Sequence, residues 1–228
     1  MPKVNMPKGT PSLDMTPLVD LAFLLVTLFM LTASFRQAEP VKVTPPSSIS
    51  LEEMPKFNFA TSIDETGRVF VDIQPSTLRG AIFSAVAKKL GYQTSEKDST
   101  KFVGAGPFGL KFVPLLKYVN LSSTERESVQ QNGIPYDTLG KKTELNTWIE
   151  QARIVSQNIV LQEEADAIAK KKPYDKMERF IKFSIKADGR AKYDQVKQII
   201  DVYRDARVKK FQMVTQSEEA PNINLRDY

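Results

Sequence analysis

The hydrophobic positions of the chain form one long apolar run near its start, followed by short periodic segments. The run covers residues 18–35 and contains a single charged residue, Asp20. Thr16 and Pro17 precede it, and a hydroxyl followed by a proline is typical of a helix N-terminus. A helix of this length spans about 27 Å, close to the ~30 Å hydrocarbon layer of a bilayer. The pattern predicts a transmembrane helix over residues 16–35.

Two other interpretations of this run remain open. A cleaved signal peptide would place its small-residue cleavage site at residues 32–34. Signal peptides have apolar cores of about 7–15 residues, shorter than this run, and gain nothing from a carboxylate. A buried helix of a soluble protein is disfavoured because the run is apolar on every face.

Charged residues beside the run predict its orientation. Lys3 and Lys8 precede it, whereas Arg36 and Lys42 follow it. The slight excess before the run favours a cytoplasmic N-terminus over residues 1–15. The long polar remainder then lies outside the cytoplasm, in the periplasm of a cell that has one.

Proline and serine dominate the segment after the run. Residues 36–56 hold Pro40, Pro45, Pro46 and Pro55. Such a segment favours an extended polyproline conformation of about 3.1 Å per residue. We therefore predict a semi-rigid linker here, or a plain spacer.

Alternating hydrophobicity then indicates a β-hairpin, with strands over residues 57–63 and 69–73 and turn residues between them. Helical spacing follows over residues 77–90, and Gly91 is a suitable stop. Residues 110–141 indicate one short packed element around Phe112 and Leu115.

The C-terminal half repeats helical and strand patterns. One or two helices are predicted over residues 144–172, a strand over 180–185, a helix over 192–207 and a last strand over 211–216. The order is ββα, insertion, βαβ, an α+β domain over residues 57–217 with helices on one face of a small sheet. Residues 218–228 form a tail. The last strand offers an edge to which an extended partner can add.

Composition excludes several classes of function. Hydrophobic residues make up 41% and charged residues 26%, which is ordinary for a soluble fold and permits only a short membrane segment. The chain has no cysteine and no histidine, so thiol catalysis, thiolate metal sites and serine–histidine catalysis are impossible. The net charge of +5 is scattered, without the basic patch typical of nucleic-acid binding. We expect no cofactor, no metal and no enzymatic activity.

Asp20 is the strongest candidate functional residue. An ionised side chain at the centre of a bilayer costs about 2.5–3.5 kcal/mol on insertion scales. The cost is avoided if the carboxylate binds a proton or faces a polar seam of a partner. Asp20 is therefore a candidate proton carrier.

Thr27 is the second candidate. It lies seven residues after Asp20, nearly two helical turns, and therefore on the same face, and Ser34 continues the stripe. A narrow polar stripe indicates a helix contact or a proton path. The alternative is that the Thr27 hydroxyl bonds its own helix backbone and does nothing else.

Two further motifs carry weaker signals. Residues 104–109 match G-x-G-x-x-G, but the surrounding sequence lacks the strand and helix that a nucleotide-binding turn requires, so we predict a loop. Residues 170–172 are three lysines before Pro173, which we interpret as a solvated helix end rather than a ligand site.

The segment 14–30, with Thr16-Pro17 and Asp20 leading into a single apolar helix, resembles the ExbD/TolR family. The segment 181–189, ending in Ala187-Asp188-Gly189, and the helix that begins at Tyr193 resemble it as well. The likeness covers roughly residues 10–90 and 178–217. The stretch 92–177 departs from the pattern as an insertion, so no partner surface is carried over to it.

The resemblance implies a motor driven by the proton-motive force. Asp20 matches the family's essential aspartate and Thr27 its intramembrane threonine. Family members insert their helices, as dimers, into an ExbB/TolQ-type ring and pass energy to a TonB- or TolA-like protein. Nutrient import and envelope maintenance both remain open, with import favoured, and a membrane-tethered scaffold without proton carriage is the competing interpretation.

Overall fold

The computed structural model describes residues 15–32, 40–45, 47–48, 55–136, 143–171, 173, 175–214 and 216–217. These residues fall into two compact units, Met1–Gln37 and Ala38–Tyr228. In chain order the elements are α1 (Thr16–Thr32), β1 (Ser47–Ser48), β2 (Asn58–Ile63), β3 (Val69–Gln74), α2 (Ser76–Leu90), α3 (Glu96–Val103), α4 (Phe112–Val119), α5 (Ser123–Glu127), α6 (Glu144–Ala169), α7 (Lys176–Arg179), β4 (Lys182–Ala187), α8 (Tyr193–Asp205), β5 (Gln212–Met213) and β6 (Gln216–Ser217).

The first unit contains α1, which begins at Thr16 as predicted. Its 17 residues end at Thr32, and the predicted residues 33–35 lie outside the described part of the chain. Every residue of α1 is exposed. Among the residues that the structure describes, no helix is both long enough and apolar enough to cross a membrane.

The second unit is built on a mixed four-stranded sheet in the order β3-β2-β4-β5. The hairpin β2–β3 is antiparallel, as the alternating pattern predicted, whereas β4 pairs parallel with both β2 and β5. A parallel pair needs a crossover connection. Helix α8 makes that connection from β4 to β5, and the elements of the predicted ββα and βαβ segments occur in the predicted order.

The two faces of the sheet differ in polarity. One face is formed by Phe59, Thr61 and Ile63 of β2 with the residues that lie beside them in register, and it belongs to the buried core. On the opposite face lie polar residues such as Asn58 and Ser184. Because side chains alternate along a strand, this pattern places the helices on the apolar face, as predicted.

Helix α2 is the central helix of the domain. It contacts β3, α3 and α6, and it ends at Gly91, which adopts the left-handed conformation of a C-cap. Helix α6 is a single helix of 26 residues, and its N-terminal half carries most of its buried side chains.

The insertion forms part of the same core. An aromatic cluster joins α2 to the insertion, and ring centroids lie 4.6 Å apart for Phe83–Phe102 and 4.8 Å apart for Phe108–Trp148. Phe112 packs 5.5 Å from Phe83 in the same cluster. Each of these side chains is at most 1% exposed. The insertion is therefore folded into the domain and is not a separate module.

Residues 40–45 and 47–48 of the predicted linker contact the domain. Val43 is buried, and the backbone N–H of Thr44 donates to Oδ2 of Asp188 over 3.0 Å. Further along, β1 pairs parallel with β6. These hydrogen bonds hold residues 40–45 and 47–48 of the predicted linker against the domain.

Candidate functional site

Asp20 lies in the second turn of α1 and is the one charged residue of that helix. Around it, Met15, Thr16, Val19 and Phe23 line a shallow hollow of the helix surface. The carboxylate makes no hydrogen bond or ion pair with any other described residue. An unpaired carboxylate on an apolar helix requires water, a proton or a partner.

Thr27 lies on the same face of α1 as Asp20, as the seven-residue spacing predicted. Its hydroxyl donates to the backbone carbonyl of Leu24 over 2.9 Å. Thr32 behaves in the same way toward the carbonyl of Leu28, at 2.8 Å. Both hydroxyls are satisfied by their own helix, the alternative that the sequence left open for Thr27. Ser34 lies outside the described residues.

The described residues offer no site for a metal ion. No group of three or more acidic side chains comes together in them, and histidine and cysteine do not occur in the chain. The rejected motif at residues 104–109 is a loop, as predicted: Gly104 is the C-cap of α3 and Phe108 forms an isolated β-bridge with Val71. Nothing in this geometry resembles a phosphate-binding turn.

The turn after β4 brings Asp188 against residues distant in the sequence. Asp188 accepts from the backbone of Thr44 and of Arg190, and the N–H of Gly189 donates to the carbonyl of Thr44 over 2.9 Å. These backbone hydrogen bonds hold the pKa of Asp188 below its ordinary value. The turn therefore fastens residues 40–45 to the domain through an ionised carboxylate.

Sequence reasoning recognised the Ala-Asp-Gly turn only through the family likeness. It did not assign Asp188 a partner, because that partner lies 144 residues away. A second acidic turn lies at the end of β2, where Arg190 bridges to Glu65 over 2.8 Å. Both turns meet at the same end of the sheet, since β2 and β4 are parallel and in register.

The predicted C-terminal strand occurs in two short pieces. Gln212–Met213 pairs with β4 and, among the residues that the structure describes, has a neighbour strand on one side only, whereas Gln216–Ser217 pairs with β1. The Met213 side chain is 50% exposed. Within the described part of the chain, the outer edge of β5 is therefore open, whereas β6 pairs with the chain's own residues 47–48.

The comparisons with known proteins agree with these features. The family described as biopolymer transport protein ExbD/TolR matches residues 6–218, nearly the whole chain. No curated protein and no solved structure gives a significant match. The chain belongs to the ExbD/TolR family.

Family membership fixes the general class of activity. ExbD/TolR proteins are energy-transducing subunits of biopolymer transport, anchored in the inner membrane, and they are not enzymes. They work in general with partners of the ExbB/TolQ and TonB/TolA types. The match also spans residues 92–177, the stretch that the sequence analysis interprets as an insertion.

Proposed function

We propose that this chain is an ExbD-like motor subunit driven by the proton-motive force, in which Asp20 carries protons. The observation that carries the proposal is the position of Asp20 as the one charge of the apolar helix α1, on the face that also holds Thr27. The chain would energise TonB-dependent transport across the outer membrane. Thr27 remains a candidate for the proton path or for a helix contact.

Protonation gives Asp20 two states with different neighbours. Ionised, the carboxylate requires water or a polar partner surface; neutral, it tolerates the apolar helices of a ring. Moving one charge through 100 mV releases about 2.3 kcal/mol. That amount biases a two-state equilibrium almost fiftyfold, since each 1.4 kcal/mol is a factor of ten.

The proposed topology follows the sequence. Residues 1–15 lie in the cytoplasm, residues 16–35 cross the inner membrane and the α+β domain lies in the periplasm. All side chains of α1 are exposed in the isolated chain, which supports burial against lipid and an ExbB/TolQ-type ring. We expect a homodimer within that ring and a TonB-like transducer beside the domain.

The test replaces Asp20 with Asn in cells that carry the ring protein and the transducer. Asn keeps the size and the hydrogen-bonding capacity of the side chain but cannot release a proton. We expect energy-dependent uptake across the outer membrane to fall by at least about tenfold while the ring complex still assembles. Asp20→Glu is the matched control, because it keeps a titratable carboxyl.

The outcomes separate the competing functions. Uptake that survives in Asp20→Asn contradicts proton carriage and supports a membrane-tethered scaffold. If uptake is unaffected by loss of the whole chain while the outer membrane leaks, the chain serves envelope maintenance as a TolR-like subunit. Loss of complex assembly in Asp20→Asn assigns the carboxylate to helix pairing instead.

A further inference from the structure

Strand β3 forms the edge of the sheet opposite β5. Its sequence is VFVDIQ, with four apolar residues, no proline and one charge, Asp72, which is paired with Arg79 over 2.7 Å. Six-residue segments of this kind pair readily with copies of themselves when their edge is open. Without the rest of the domain, the hairpin would therefore expose an edge strand prone to pair with other copies of the chain.

Four outward backbone groups of β3 are nevertheless occupied. Val71 exchanges two hydrogen bonds with Phe108, its N–H donating over 2.8 Å and its carbonyl accepting over 3.0 Å. The carbonyl of Val69 accepts from the N–H of Ile134 over 2.9 Å. At the far end, Nε of Arg79 donates to the carbonyl of Ile73 over 2.7 Å.

Two glycines let the insertion approach β3 this closely. A Cβ added to Gly109 would overlap the ring of Phe70, and one added to Gly133 would lie 2.8 Å from the backbone nitrogen of Val69. Gly133 also has a φ of +88°, a conformation that side chains disfavour. Gly109 is the last glycine of the G-x-G-x-x-G match at residues 104–109. In this structure that glycine lets the backbone of the insertion lie close to β3.

The segments that cover β3 are fixed to the core. Phe108 is 1% exposed and packs on Trp148 and Phe102. The N–H of Gly133 donates to the carbonyl of Gly109 over 2.8 Å, which ties the two covering segments together. The side chain of Gln131 accepts from the N–H of Gly109 as a further tie.

We infer that the insertion is a built-in edge cover that prevents β3 from pairing with β3 of a second copy of this chain. The excluded partner is β3 of a second copy. To pair antiparallel with β3, that strand would need the N–H and carbonyl of Val71 and the carbonyl of Val69, which already form hydrogen bonds with Phe108 and Ile134. Main-chain pairing by this sheet is thereby confined to the β5 side. The inference concerns the domain alone and does not depend on proton carriage.

The test uses Gly133→Ala in the full chain in detergent, with Gly91→Ala as the matched control. Gly91 has a φ of +82°, nearly the same as Gly133, but an added Cβ there meets nothing within 4 Å. Gly91→Ala therefore introduces similar backbone strain but does not push the insertion away from β3. Gln131→Ala is a milder second variant, which removes the acceptor for Gly109 without adding bulk.

The readouts are amide hydrogen exchange at Val71 and cross-linking between copies. The chain has no cysteine, so Gln74→Cys, exposed at the end of β3, gives a unique site for cross-linking. In an antiparallel pair centred on Val71 the two introduced thiols lie about 20 Å apart, so the reagent is a bis-maleimide with a spacer of about that length. In folded Gly133→Ala or Gln131→Ala we expect Val71 exchange to rise roughly tenfold over the control, with cross-linked dimers. Unchanged exchange overturns the inference, and so does faster exchange without cross-linking.

Discussion

The backbone N–H of Thr44 donates to Oδ2 of Asp188 over 3.0 Å, joining a segment that reads as a linker to a turn 144 residues later. The N–H of Gly189 also donates to the carbonyl of Thr44, so both backbone polar groups of Thr44 are bonded to this turn. With Val43 buried beside it, the segment behaves as part of the domain. Residues 40–45, which lie in the predicted linker, are therefore held by the domain.

We expect Asp188→Ala to release residues 40–45 while leaving the sheet folded. The change removes the acceptor for Thr44 and for the backbone of Arg190. Amide exchange in a peptide covering residues 40–48 should rise roughly tenfold, since local contacts open independently of the core. Asp201→Ala is the control, because Asp201 pairs only with nearby Arg204 at the surface. Equal protection in both variants would contradict the role of Asp188.

Acid should weaken the turn at Asp64. Burial opposes ionisation of this carboxylate, but hydrogen bonds from Thr66 and Arg68 outweigh it and hold its pKa below the ordinary 3.8. A lowered folded-state pKa stabilises the fold above about pH 3.8, and this contribution disappears as pH falls through the folded value. The difference between wild type and Asp64→Asn in urea titrations should therefore be largest at pH 6 and should shrink as the pH falls below 3.8. A gap that widens on acidification would refute the assignment.

Arg79→Lys should destabilise the domain by about 2 kcal/mol, although the charge is kept. The guanidinium is 2% exposed and donates to the carbonyls of Ile73 and Val103 and to Asp72. An ammonium cannot reproduce that fork, and each buried acceptor left unpaired costs about 1–3 kcal/mol. Denaturant unfolding measures the loss. Arg204→Lys, at a surface pair, should change stability by less than about 0.5 kcal/mol.

Tyr203→Phe should cost about 1–3 kcal/mol because it leaves buried polar groups unpaired. The Tyr203 hydroxyl lies 2.6 Å from Oγ1 of Thr61 and donates to the carbonyl of Ser184 over 3.3 Å. Burial also raises the pKa of Tyr203, so the hydroxyl stays neutral at all ordinary pH values. Tyr193→Phe is the control, since that side chain is 76% exposed. Thermal unfolding that shifts equally in both variants would contradict this account.

Local patterns were sufficient to predict much of the fold. Alternation located the hairpin, and helical spacing with Gly91 located α2 within one residue of its observed start. Helix α3 was missed because its sequence, EKDSTKFV, is polar apart from Phe102 and Val103. Its N-terminus carries a capping box formed by Ser95 and Asp98, a signal that was present in the sequence.

Contacts between distant segments account for what the sequence could not predict. The docking of Thr44 on Asp188, the cover of β3 by Phe108 and the split of the last strand all depend on tertiary hydrogen bonds. Every residue except proline has the same backbone N–H donor and carbonyl acceptor. The sequence therefore does not show which backbone groups pair across distant segments. Asp20 was found because a charge in an apolar run is itself a local signal.

The open edge of β5 leads to the last prediction, that an extended segment of the energy transducer adds to this strand. A photo-reactive residue at Met213 should capture the transducer in cells, because β5 has only one neighbouring strand in the described residues and β3 is covered. The control position is Val113 in the insertion, which is 46% exposed and lies on no strand. Capture at both positions, or at Val113 alone, would place the transducer elsewhere. Repeating the experiment with Asp20→Asn separates docking from proton carriage: capture that persists while uptake is lost assigns the two activities to different units of the chain.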